Sequence, residues 1–210
     1  MYAIHFLMLF IFAFLTFNSC AVPEASKPNI IFIYTDDQAY WTTGYAGNFQ
    51  AHTPNTDKLA AEAAVFTNSF VTTPVCSPAR AALMTGRYAS EWGIYDFIPQ
   101  VGHRLFDESR PIGLDTASIT FAELLKSKGY YTGLIGKWHL GDWTTDPEQI
   151  YHPLRHGFDY FMGLTGGGVS PVDPLLEKDG KVQGFTGLTV DIITDEALGF
   201  LQGTNTDQPF

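Results

Sequence analysis

Residues 29–34, Asn-Ile-Ile-Phe-Ile-Tyr, form an unbroken apolar run of β-branched and aromatic side chains that stops abruptly at Thr35-Asp36-Asp37. A strand wet on one face alternates polar and apolar residues, whereas a continuous run suits a strand covered on both faces of a parallel sheet. Parallel strands need crossover helices, and the sequence offers them. Thr53-Pro54 supplies an N-cap and a first helical residue for a helix through about Ala64, with Leu59, Ala60 and Ala63 on one side. Residues 65–71 read as a short strand. Thr120-Phe121-Ala122-Glu123 is a capping box opening a helix that Gly129 closes. Residues 130–135 read as the next strand, with Gly136-Lys137-Trp138-His139 at its C-terminal end, and 190–201 read as another helix. This alternation predicts an α/β fold: a largely parallel central sheet flanked by helices on both faces. Residues 88–115 and 143–187 lack clear periodicity and read as loops around a site.

The first 19 residues stand apart from this pattern. Residues 4–17 are apolar except for His5 and Thr16, too short a run for a comfortable membrane span, and read as the core of an export signal. Phe17-Asn18-Ser19-Cys20-Ala21 has the form of a relaxed bacterial lipobox, with Cys20 as the lipidated residue; ordinary cleavage nearby is the alternative. The expectation is therefore a signal peptide over 1–19, a linker over 20–28 and a catalytic-domain portion over 29–210. The product would be exported, as a periplasmic or outer-membrane-anchored lipoprotein or as a secreted protein. A net charge of −10 argues against a nucleic-acid partner, so any attraction for an anionic substrate must be local. With only 12 Lys plus Arg in the chain, Arg80, Arg87 and Lys137 stand out.

Cys76-Ser77-Pro78-Ala79-Arg80 is the densest chemical feature. Pro78 suits a first helical turn, Ala79 to Met84 are mostly good helix formers, and Gly86 is a natural stop. Cys76 would then sit at a helix N-terminus with Arg80 one turn on, where free amide hydrogens, the helix dipole and a guanidinium favour an anion. Read without context, a free cysteine is a small buried hydrophobe. Asp36 and Asp37 follow the first strand, where ligands collect in open parallel sheets; adjacent hard carboxylates suit a divalent cation, although a solvated turn or a helix cap uses the same residues. Lys137 and His139, two apart, would point the same way on an extended segment and address one anionic group, or be a surface lysine and a structural histidine. His52, His103, His152 and His156 read as surface or loop-packing residues, and Gly166-Gly167-Gly168 as a flexible loop.

The string C-S-P-A-R-x-x-L-M-T-G-R at 76–87 resembles the signature of type I sulfatases, members of the alkaline-phosphatase-like superfamily. P-N-I-I-F-I-Y-T-D-D at 28–37 is similar to the opening of those enzymes, and residues 129–141 resemble their second signature. The likeness spans about residues 28 to 210 and implies an alkaline-phosphatase-like fold truncated at the C-terminus. It implies that Cys76 is oxidised to formylglycine by a maturation enzyme and that the aldehyde hydrate is the nucleophile. Arg80, Lys137 and His139 would hold and polarise that hydrate and the sulfate. Asp36, Asp37 and the residue at 76 would contact Ca2+, with Mg2+ the less favoured ion. The family's Asp-Asn ligand pair and its leaving-group His and Lys have no counterpart here, so the 210 residues alone are expected to be inactive. The implied reaction is hydrolysis of a sulfate ester, of a sulfated sugar or an aryl group. A phosphomonoester or phosphonate hydrolase of the same superfamily, or an inactive glycan-binding fragment, are the alternatives.

Overall fold

The computed structural model describes residues 27–107, 109–141, 148–164, 166–204 and 207–210; the leader, Cys20 and most of the linker lie outside them. Four α-helices are described, α1 (Pro54–Glu62), α2 (Cys76–Thr85), α3 (Phe121–Ser127) and α4 (Thr189–Gly203). A sheet of four strands, β1 (Gly133–Lys137), β2 (Tyr160–Leu164), β3 (Leu175–Lys178) and β4 (Lys181–Gly184), runs in that spatial order. The α/β class holds, and the described sheet is mixed: β1 and β2 are parallel, and β3 and β4 add antiparallel.

Side-chain alternation on β1 and β2 puts a core on each face. Leu134 and Phe161 join Ala81, Met84, Leu114, Ala122, Trp138 and Phe158, where α2 and α3 pack. Ile135, Met162 and Leu164 turn the other way, onto Leu176 and onto Ile192 and Ile193 of α4. Helices therefore cover both faces, as the patterning predicts. Trp138 is fully buried; its indole Nε1 donates to the Tyr151 carbonyl at 2.8 Å, which satisfies the one polar atom that burial would strand.

The start of α3 follows the capping-box reading atom by atom. The Glu123 amide donates to Thr120 Oγ1 at 3.2 Å, and the Thr120 amide donates to Glu123 Oε2 at 2.7 Å. The Thr120 hydroxyl also donates to the His156 carbonyl at 2.7 Å, so the cap ties α3 to the chain entering β2. Helix α2 begins at Cys76, which places Pro78 at its third residue, and it ends at Gly86 in the left-handed region (φ 66°).

Several expectations are corrected. Residues 29–34 are not part of the described sheet: Ile31, Phe32 and Ile33 are exposed, and the run joins no ladder. The run has strand chemistry, but its contacts are remote in sequence. The Ile30 amide donates to the Phe210 carbonyl at 2.7 Å, and the Tyr131 amide donates to the Pro209 carbonyl at 2.8 Å. Residues 65–71 likewise form no described strand, and Phe66 and Phe70 are exposed. The strand read at 130–135 lies at 133–137, because Thr132 is drawn into bonds with Gly157 and Asp159 before the ladder begins. The stretch 143–187, read as loop, contains β2, β3 and β4. Its hairpin turns at Asp179-Gly180, both with positive φ (55° and 73°), the two-residue turn chemistry that matches strand twist.

Two predictions follow from the core. Gly163 pairs with Gly136 across β1 and β2, and a Cβ built on it would lie 1.7 Å from the Gly136 carbonyl oxygen. Backbone cannot rotate away as a side chain can, so Gly163→Ala should lower unfolding free energy by about 3 kcal/mol, measured by denaturant titration; an unchanged midpoint would refute the close approach.

His156 is fully buried against Trp138, with ring centroids 5.5 Å apart. Burial pushes its imidazole below the ordinary 6.5, with His152 adding to that, while Glu123, Asp115 and the Ile150 carbonyl oppose it. Below about pH 6.5 the unfolded chain binds a proton that the folded chain refuses, so this contribution is complete above that pH and is lost as pH falls. The melting temperature should drop between about pH 7 and pH 5, and His156→Phe should flatten the slope. A melting temperature with the same slope in both proteins would sink the assignment.

Candidate active site

Three elements meet at one carboxylate. Asp36, just past the exposed apolar run, takes Arg80 Nη2 at 3.0 Å and Lys137 Nζ at 2.7 Å on the same oxygen, Oδ2. Arg80 projects from the first turn of α2, and Lys137 closes β1. The guanidinium also donates through Nη1 to the Lys137 carbonyl at 2.5 Å and lies over the Tyr34 ring, 5.2 Å from its centroid. Its planar fork thus spans an acid, a backbone carbonyl and an aromatic face, which a lysine could not do. Burial alone would raise the Asp36 carboxyl, but its hydrogen bonds to Lys137 and Arg80 outweigh that and hold it below the ordinary 3.8. Asp36 is therefore ionised at neutral pH, and two cations are fixed at the mouth of α2.

Cys76 is the first residue of α2, a half-buried free thiol one helical turn before Arg80. The sequence-derived geometry holds here: Cys76, the helix N-terminus and Arg80 are in register. Lys137 and His139 depart from the extended spacing, since His139 has φ 55° and leaves the strand in the left-handed region. The imidazole is nonetheless buried within electrostatic reach of Lys137, Arg80 and Asp36. Burial first, then the two cations, push its pKa below the ordinary 6.5, against the pull of the Ile98 carbonyl and Asp36. Neutral His139 donates from Nε2 to the Ile98 carbonyl at 2.8 Å, which leaves Nδ1 as a buried acceptor with no hydrogen-bond partner among the described residues.

Some of the site lay beyond the sequence reading. Tyr34 supports Arg80 from the run read as strand core. Ile98 contributes only backbone, so no residue type announces it. Gly167, read as part of a flexible loop, lies against His139; a Cβ there would stand 2.9 Å from the imidazole Cε1. His152 and His156 are buried packing residues away from the cluster, and His152 pairs through Nε2 with Glu177 Oε1 at 2.7 Å.

Asp36 and Asp37 offer the hard oxygens that calcium prefers, yet among the described residues no group of three or more His, Cys, Asp or Glu side chains converges as a metal cage. Asp37 is exposed, with φ 53°. The pair fits calcium in kind and falls short in number.

The sulfatase family model matches residues 28–210. Human steryl-sulfatase is 45% identical over 142 residues, covering 67% of this chain and 24% of its own length. Bovine arylsulfatase A is 41% identical over 146 residues, covering 70% of this chain and 27% of its own. The chain thus spans about a quarter of these relatives. Among solved structures, Ps i-CgsB superposes with a TM-score of 0.77 at 33% identity, over 88% of this chain and 43% of that one. BT4656, solved with its substrate D-glucosamine-2-N,6-O-disulfate, gives 0.69 at 32% identity, over 88% of this chain and 33% of its own. The two signature segments and the α/β core that carries them place the chain in the sulfatase family, as the N-terminal part of its alkaline-phosphatase-like fold.

Proposed function

We propose that the protein carrying this chain hydrolyses sulfate esters of carbohydrates through a formylglycine made from Cys76 by a maturation enzyme. The observation that carries this reading is the convergence of Arg80 and Lys137 on Asp36 Oδ2, with Arg80 one turn along α2 from position 76. A sulfuryl group in transfer spreads negative charge over its oxygens, and cations fixed in advance stabilise that charge without reorganising. One hydroxyl of the hydrated aldehyde would attack sulfur and displace the ester alcohol; deprotonation of the second would expel sulfate and restore the aldehyde, which one water rehydrates, a route closed to an unmodified thiol. Neutral His139, with Nδ1 open as an acceptor, is suited to take a proton from such a hydroxyl. Asp36 and Asp37 would contribute to a calcium site completed by residues outside those described, where the ion would neutralise sulfate charge. The solved complexes with a disulfated glucosamine and with a neocarrahexaose support a sugar as the substrate class. The apolar leader and Cys20 support export with a lipid anchor.

Mass spectrometry of the peptide containing residue 76, after co-expression with a maturation enzyme, should show a loss of about 18 Da relative to the thiol. The matured gene product should release sulfate from a sulfated sugar far faster than phosphate from the matching phosphate ester, and Cys76→Ala should cut turnover by at least about 1,000-fold. An active enzyme with an intact thiol, or one that prefers phosphate, would overturn the proposal.

Calcium offers a separate check. Asp36→Ala removes a ligand and also releases Arg80 and Lys137, whereas Asp37→Ala removes a ligand alone, so Asp37→Ala is the cleaner probe. Titration calorimetry should show calcium binding weakened in Asp37→Ala and lost in the double variant, with activity falling in parallel. Stoichiometric calcium in the double variant would exclude these ligands.

A further inference from the structure

We infer that Ser77 is a positioning residue, and that it acts with Gly167 to seat the His139 imidazole relative to the nucleophile turn. The inference rests on the functional reading above, but its geometry is independent of it. Ser77 follows Cys76 directly and is fully buried, so its hydroxyl points inward from the same turn that presents residue 76. The Ile98 amide donates to Ser77 Oγ at 3.0 Å, and the Ile98 carbonyl accepts from His139 Nε2 at 2.8 Å. One residue of an irregular loop thus uses its amide to grip α2 and its carbonyl to grip the histidine.

This arrangement decides which imidazole nitrogen carries the proton. A ring that donates from Nε2 to a carbonyl must, when neutral, present Nδ1 as an acceptor. The ring also meets Gly167, where an added Cβ would come within 2.9 Å of Cε1 and 3.2 Å of Nε2. Only a residue without a side chain leaves the ring in place. The nucleophile and the proton acceptor are therefore held in register by a relay of Ser77, Ile98 and His139, closed off by Gly167. Without the Ser77 oxygen, the Ile98 amide loses its acceptor, the loop shifts, and the carbonyl that fixes the tautomer moves with it.

The test compares the wild-type gene product with Ser77→Ala and Gly167→Ala, each matured and normalised to aldehyde content at residue 76 by mass spectrometry. Partners that orient a functional histidine typically matter by 10–100-fold, so kcat per aldehyde should fall by at least about tenfold while KM stays within about twofold. Nitrogen NMR of histidine-labelled protein, with His139 assigned through His139→Gln, should show Nε2 protonated in wild type and a mixed tautomer in both variants. If Ser77→Ala does not fold, Gly167→Ala carries both readouts, since it leaves the Ser77 bond intact and presses on the ring. Unchanged kcat per aldehyde, or an unchanged His139 tautomer in the folded variants, would overturn the inference. A wild-type protein with full aldehyde and no sulfatase activity would overturn the functional reading alone, because the tautomer is read without turnover.

Discussion

A single carboxylate oxygen organises the charged centre of this chain. Asp36 Oδ2 receives Arg80 from a helix and Lys137 from a strand, partners 44 and 101 residues away in sequence. Two cations side by side repel, and each would be costly to desolvate alone. The shared acid makes their proximity tolerable, and the Arg80 bond to the Lys137 carbonyl stiffens it. Remove the acid and the helix N-terminus, guanidinium and ammonium would present three positive features with nothing between them.

The parallel pair β1 and β2 is the rigid frame behind that centre. Its two faces bury separate cores, and the Gly136–Gly163 contact brings the strands together with no side chain between them. Lys137 leaves this frame at its end, and His139 follows after a turn into the left-handed region. Strain of that sort in a non-glycine residue persists only where surroundings enforce it, and here the bond to Ile98 does so.

The sequence was legible where the chemistry is local. A capping box is decided within four residues, so α3 begins where Thr120 and Glu123 say it should. Helix α2 is likewise set by Cys76 to Gly86, and the register of Cys76 with Arg80 needs no distant partner. What escaped was set elsewhere in the chain. Tyr160 to Leu164 carries no alternation because both its faces are covered, and a five-residue apolar run is too short to announce itself. The Asp179-Gly180 turn was a readable hairpin signal hidden by polar flanks, Lys178 and Lys181. Residues 29–34 have the composition of a buried strand, but composition cannot supply the neighbours that would bury them. Arg80, Lys137 and His139 were singled out by type and motif, and the structure brings them within reach of Asp36; Ile98 was not singled out, since it contributes only its peptide groups.

The anchoring of the 27–36 segment is uneven in a way that bears on motion. Its described ties include the Lys27 bond to the Lys128 carbonyl, the Ile30 bond to Phe210, the Asn29 bond to the Phe210 amide, the Tyr34 ring under Arg80, the Phe32 ring against Phe121 and the two ion pairs of Asp36. Its aliphatic side chains are little covered among the described residues, with Ile33 80% exposed and Ile31 64%. Segments with few buried contacts open at free energies well below that of global unfolding. Displacing this segment would lift the acid away while Arg80 and Lys137 stay mounted on α2 and β1. Whatever holds residues 29–34 in place therefore also sets how far Asp36 screens the cationic pair carried by α2 and β1.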